Sequence, residues 1–132
     1  MKRIFVILFL LISTGLMAQA ERVYQTDSVK SGRAAVSFLV NSRHNYNTVM
    51  LKSLISSDSV KIYAVNETND TTAVALRNLQ TWSDLSSNLI TGLTGNYEFL
   101  VLNPNIYRLV VKYVKATISK TIPIRRRGNN LK

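Results

Sequence analysis

A single histidine and no cysteine leave this chain few ways to make or break a covalent bond. Hydrolysis by a covalent route needs a nucleophile with a base beside it. His44 sits in a polar, turn-forming stretch with Ser42 nearby, but no Gly-x-Ser-x-Gly elbow surrounds the serine. It reads as a loop histidine. Paired carboxylates could serve glycoside chemistry. The acidic residues are Glu21, Asp27, Asp58, Glu67, Asp70, Asp84 and Glu98, and most fall in turn-like segments. Glu67 and Asp70 flank one loop, yet their spacing fits no calcium loop, so solvation is the expected role. The expectation is a protein that is not an enzyme and uses no cofactor or metal.

The basic residues are the stronger signal. Beyond Glu98 the chain carries Arg108, Lys112, Lys115, Lys120, Arg125, Arg126, Arg127 and Lys132 with no carboxylate among them. A field of one sign favours anionic partners, and the first seven are candidate contacts to an anionic surface. The competing reading is a solvated basic edge that keeps strands from pairing with neighbours. Trp82, Tyr63, Tyr97, Tyr107 and Tyr113 could form a stacking platform, but their strand-compatible positions make core packing the expected role. Arg108 and Lys112 interleave with Tyr107 and Tyr113, yet no nucleic-acid motif accompanies them, and no nucleic-acid partner is expected. Asp27-Ser28-Val29, Asp58-Ser59-Val60 and Asp70-Thr71-Thr72 fit a loose bacterial O-glycosylation pattern, making Ser28, Ser59 and Thr71 candidate acceptors. Asn66-Glu67-Thr68 and Asn69-Asp70-Thr71 are N-glycosylation sequons.

The N-terminus has the organisation of an export signal. Lys2 and Arg3 precede an unbroken apolar run over residues 4–12, and Ala18-Gln19-Ala20 supplies a small-x-small cleavage site. A membrane span needs roughly 20 apolar residues, and this run is about half that. Residues 1–20 are therefore expected to be removed, and no transmembrane segment is expected in what remains. The chain's 17 basic residues less Lys2 and Arg3 leave 15, against 7 acidic residues, a net +8. Disulfides usually stabilise small secreted domains, so their absence here favours a bacterial periplasm, outer-membrane surface or extracellular location built on packing alone.

The elements that must position these residues read as strands. Residues 21–33 form an extended leader or edge segment. Val36, Phe38 and Val40 alternate with polar neighbours, as do Val60, Ile62 and Ala64, and then Tyr97, Phe99 and Val101. Tyr107, Leu109, Val111 and Tyr113 share a face; so do Ile122 and Ile124. Pro123 lacks an N–H and points to an edge strand. Within residues 72–90 two readings remain open. Leu76, Leu79, Trp82, Leu85 and Leu89 recur at helical spacing, whereas residues 71–76 read as a strand followed by a loop or short helix carrying Trp82. Short strands at regular spacing with turn signals between them imply one mainly-β domain, an immunoglobulin-like β-sandwich over residues 34–124 with a basic tail at 125–132.

Residues 91–111 carry the densest pattern: Thr91, Gly95, Tyr97, Phe99, Leu102, Pro104, Asn105, Tyr107 and Leu109. It resembles the carboxypeptidase regulatory-like and collagen-adhesin B-type repeat domains, which share a transthyretin-like sandwich. The match extends to residue 124 through the Thr- and Ile-containing segment at 117–124. Gly95 would supply the positive φ of a hairpin turn. Pro104 would preset a turn, with Asn105 where the family prefers Gly. The resemblance implies a structural or binding module without catalysis. The expected function is an exported binding or scaffolding module of the bacterial envelope, its partner an envelope protein or an anionic glycan or lipid surface. The alternatives are an assembly subunit that pairs by strand addition and a basic binder of anionic envelope surfaces.

Overall fold

Alternating apolar side chains fold the chain into two antiparallel sheets packed face to face, seen in a computed structural model that describes residues 22–30, 32–40, 46–102, 106–114 and 120–129. Eleven strands follow in chain order: β1 (Arg22–Val29), β2 (Ala35–Leu39), β3 (Tyr46–Leu54), β4 (Ser59–Val65), β5 (Thr71–Ala73), β6 (Leu76–Asn78), β7 (Ser83–Asp84), β8 (Leu89–Thr91), β9 (Gly95–Val101), β10 (Arg108–Tyr113) and β11 (Ile122–Asn129). One sheet has the order β1-β11-β3-β9-β6-β7; the other runs β2-β10-β4-β5, with β8 also paired to β4.

The inner faces meet in one apolar core. Val49, Leu51, Phe99, Ile122 and Ile124 come from the six-stranded sheet, and Val36, Ile62, Leu109 and Val111 from the five-stranded one. Burying each such side chain contributes about 1.5–3 kcal/mol. Tyr97 and Phe99 stack on the inner face of β9 with centroids 6.3 Å apart.

Several expectations change. Residues 125–129 of the expected tail belong instead to β11, which continues through Asn129 and lies between β1 and β3; residues 130–132 lie outside the described residues. Pro123 is therefore inside the sheet rather than on an edge strand. The ladder from β11 to β3 begins at Ile124–Leu51, so Pro123 sits ahead of its first rung. Beside it β3 carries an irregularity between Leu51 and Leu54, with Ser53 at φ 57°. Of the two readings of the leader, the edge segment holds for residues 22–29, which form β1 and pair along their length with β11. No helix occurs in residues 72–90; β5, β6, β7 and the start of β8 occupy them with turns. The helical spacing there has no common buried face: Leu76 is buried, Leu79 and Leu85 partly so, and Trp82 and Leu89 exposed. Gly95 does adopt positive φ, at 110°. Its turn crosses between sheets, however, since β8 pairs with β4 and β9 with β3.

Candidate functional site

Inward-facing aliphatics on two adjacent strands decide which residues face solvent. Val60, Ile62 and Ala64 turn the alternate residues of β4, Lys61 and Tyr63, outward. Leu109, Val111 and Tyr113 do the same on β10 for Arg108 and Lys112, while Val110 between them stays buried. The register sets Lys61 directly opposite Lys112, and both are exposed. Like charges directly opposed on neighbouring strands destabilise a sheet.

The edge of β4 adds a recess to this pair. β8 pairs with Ser59–Lys61 and β5 with Tyr63–Val65, so two short strands share one edge. Asn88 sits between them: its backbone oxygen accepts from the Ile62 N–H at 3.0 Å, and its Nδ2 donates to the Ile62 carbonyl at 2.9 Å. A pocket of about 260 Å³ opens here, lined by Lys61, Lys112, Tyr63, Thr71, Thr72 and Asn88, with the small Ala73 between them. Its lining includes two ammonium groups and no carboxylate. Arg108 lies on the same outward face of β10, its guanidinium carbon 5.9 Å from the centroid of the Tyr107 ring.

The other basic candidates disperse. Arg126 faces into the sandwich, only 1% exposed, and cannot touch an external surface. It donates to Asn47 Oδ1, to Gln25 Oε1 at 3.2 Å and to the Leu39 carbonyl at 3.3 Å. Burial pulls its guanidinium below the ordinary value. Arg127 pairs with Glu98 at 3.2 Å, and Arg125 lies over the Tyr24 ring at 5.7 Å, both on the outer face of the opposite sheet. Lys120 pairs with Asp58 at 2.7 Å and donates to the Ser53 carbonyl at 2.6 Å. Residues far apart in sequence thus neutralise part of the carboxylate-free C-terminal third. Of the seven candidates, Arg108 and Lys112 face the pocket side of the molecule. Lys115 lies outside the described residues, as do Lys132, Pro104, Asn105, Ser42, His44 and residues 1–20.

The carboxylates have local partners. Asp27 pairs with Arg33, Asp84 with Arg77, and Glu98 accepts from the Thr48 hydroxyl at 2.6 Å. Asp70 accepts from the Thr68 hydroxyl at 2.6 Å and from Asn66, which hold it below the usual carboxylate range. Asp58 is only 4% exposed. It accepts from Lys120, from the Ile55 N–H at 2.8 Å and from the Tyr113 hydroxyl at 2.8 Å. Burial pushes this carboxyl up, but those donors outweigh it and hold it below its usual range. Burial, then the hydrogen bond to Asp58 and its charge, push the Tyr113 hydroxyl up.

Among the aromatics, Tyr113 is buried and Tyr97 packs against the core, as expected. Trp82 does not: it is 71% exposed in the β6–β7 turn, at φ 54°. Tyr107 is also exposed. The glycosylation candidates differ in access. Ser28 is half-buried within β1 and Ser59 half-buried at the start of β4, so both lie in strands rather than in open loops. Thr71 is exposed, at the start of β5 and in the pocket wall. A glycan on Thr71 would compete for that space.

Sequence reasoning missed Lys61 as a site residue. The available signal was its strand alternation between Val60 and Ile62, together with the same pattern around Lys112. What the sequence lacks is the pairing of β4 with β10, which joins residues 51 apart in the chain.

No family model matches the chain, and no curated protein matches it. Among solved structures, the SPBc2 prophage-derived protein YomS superposes with a TM-score of 0.65 at 18% identity, covering 86% of this chain and 96% of its own. That likeness is one of fold. The Drosophila NLP-core, a structure described for pentamer formation and histone binding, aligns at a TM-score of 0.35 and 12% identity over 85% of this chain and 98% of its own.

Proposed function

We propose that this chain is a non-catalytic binding module, exported to the bacterial cell envelope, that engages an anionic partner through the outer face of its five-stranded sheet. One observation carries the reading. Lys61 and Lys112 oppose each other across β4 and β10 in a pocket whose lining contains no carboxylate. Sheet stability alone disfavours that arrangement, and a bound anion would relieve it. The export pattern of residues 1–20 supports an envelope location, and the resemblance of residues 91–124 to carboxypeptidase regulatory-like domains supports a binding or scaffolding role. The acidic side chains hold turns and strands together, as the partners of Asp27, Asp58, Asp70, Asp84 and Glu98 illustrate.

The test is binding of the purified protein to lipopolysaccharide at low and high salt, compared with the Lys61→Gln/Lys112→Gln double variant. Binding that weakens with salt and collapses in the variant is expected. Equal binding by both proteins would refute the reading.

One feature favours assembly by strand addition as a second reading. β1 is an eight-residue edge strand with β11 as its only sheet partner among the described residues. Light scattering over a wide concentration range decides it, since a constant monomer mass excludes self-assembly.

A further inference from the structure

We infer that the Lys61–Lys112 pocket takes an acidic saccharide unit, a sugar ring bearing a carboxylate or phosphate; this rests on the proposed anion-binding role. The size comes first. Pockets for drug-sized ligands run about 300–1,000 Å³. At about 260 Å³ this one suits a single ring with one charged substituent.

The lining then divides by chemistry. Lys61 and Lys112 supply two ammonium groups from opposed positions, which matches one anionic group held between them. Tyr63 lies two residues along β4 on the same outward face. Its cross-strand neighbours are Ala73 and Val110, neither of which is aromatic or charged. A half-buried aromatic ring beside a polar wall fits the C–H face of a sugar. Thr71 and Thr72 also line the pocket, and the clamp on Ile62 fixes Asn88 in place. Sugar hydroxyls need neutral donors and acceptors of this kind.

A bilayer fits this site less well. The pocket is a recess between strands, and its lining has no large aliphatic side chain to enter an acyl layer. The exposed Trp82 belongs to the β6–β7 turn of the other sheet, away from the lysine pair.

The experiment follows backbone amide resonances of the purified protein during titration with four probes: an oligogalacturonate, the matching neutral galactose oligomer, inorganic phosphate, and phosphatidylglycerol vesicles. Three variants accompany it: Lys61→Gln/Lys112→Gln, Tyr63→Val and Tyr63→Phe. The valine keeps strand propensity while removing the ring, and the phenylalanine keeps the ring. The expected result is saturable oligogalacturonate binding, with shifts centred on Lys61, Tyr63 and Lys112 and no response to the neutral oligomer. Binding should weaken at least about tenfold in the lysine variant and about tenfold in Tyr63→Val, and persist in Tyr63→Phe. If phosphate or the vesicles bind as tightly as the uronate, and Tyr63→Val changes nothing, the saccharide inference falls while the anion site stands. If no anion moves the Lys61 and Lys112 resonances, both fall together.

Discussion

Asp58 shows how one residue ties three segments of the chain to a single charge. Its carboxylate gathers Lys120, the Ile55 N–H and the Tyr113 hydroxyl at the end of the β3–β4 connection. Because its folded-state pKa lies below the ordinary carboxylate value, it contributes stability above about pH 4 that is lost as pH falls through the lowered folded value. Tyr113 has the opposite sign. Its raised pKa contributes stability below about pH 10 that disappears as pH rises through the folded value. Asp58→Asn should cost roughly 1–3 kcal/mol at neutral pH and flatten the acid limb of the stability profile, measured by urea denaturation across pH. An unchanged acid limb would show that Asp58 does not govern it. Trp82 makes a contrasting prediction. A buried aromatic truncated to a small residue costs about 3–5 kcal/mol. Trp82 is exposed and sits at φ 54°, so Trp82→Gly should change stability by less than about 1 kcal/mol in the same assay. Composition marks tryptophan as a core candidate, and only the position of the turn reveals that it is not.

Among the elements, β11 departs most from its sequence. Three consecutive arginines read as a solvated tail, yet Ile122–Asn129 is an interior strand of the six-stranded sheet. Strand alternation explains the result: Arg125 and Arg127 face outward, and Arg126 takes the inward position between Ile124 and Gly128. Its burial is tolerated because Asn47, Gln25 and the Leu39 carbonyl receive its donors. These partners lie 79 to 101 residues away for the side chains, beyond the reach of any local pattern. Arg126→Met should destabilise by roughly 1–3 kcal/mol in thermal or urea unfolding, since Asn47 is left with an unmet acceptor. Adding Asn47→Leu should recover part of that loss; a purely additive double variant would contradict the account. The β8–β9 crossover gives a simpler case. Gly95 has space for a Cβ but a φ of 110°, so Gly95→Ala should cost about 1–2 kcal/mol through backbone strain alone. The glycine was legible from its place in the pattern at 91–111. That its turn links two sheets was not, because the same residues close a hairpin equally well.

At the scale of the whole molecule, the sandwich was legible because period-two alternation in β2, β4, β9 and β10 follows from burying one face of each strand. The site was half legible. Lys112 stood out in a run free of carboxylates, while Lys61 gained meaning only through pairing with it, and the Lys120–Asp58 and Arg127–Glu98 contacts neutralised charges that sequence distance had kept apart. The opposed lysines also let function and stability pull against each other. A structural surface pair should cost nothing in binding when changed; a ligand site that strains its own sheet should lose binding and gain stability. The most direct measurement is therefore the Lys61→Gln variant, assayed for unfolding without ligand and for binding to lipopolysaccharide in the same low-salt buffer. The account predicts a protein slightly more stable, by about 0.2–1 kcal/mol, that binds at least about tenfold more weakly. A variant that is less stable yet binds as well as the parent would contradict it.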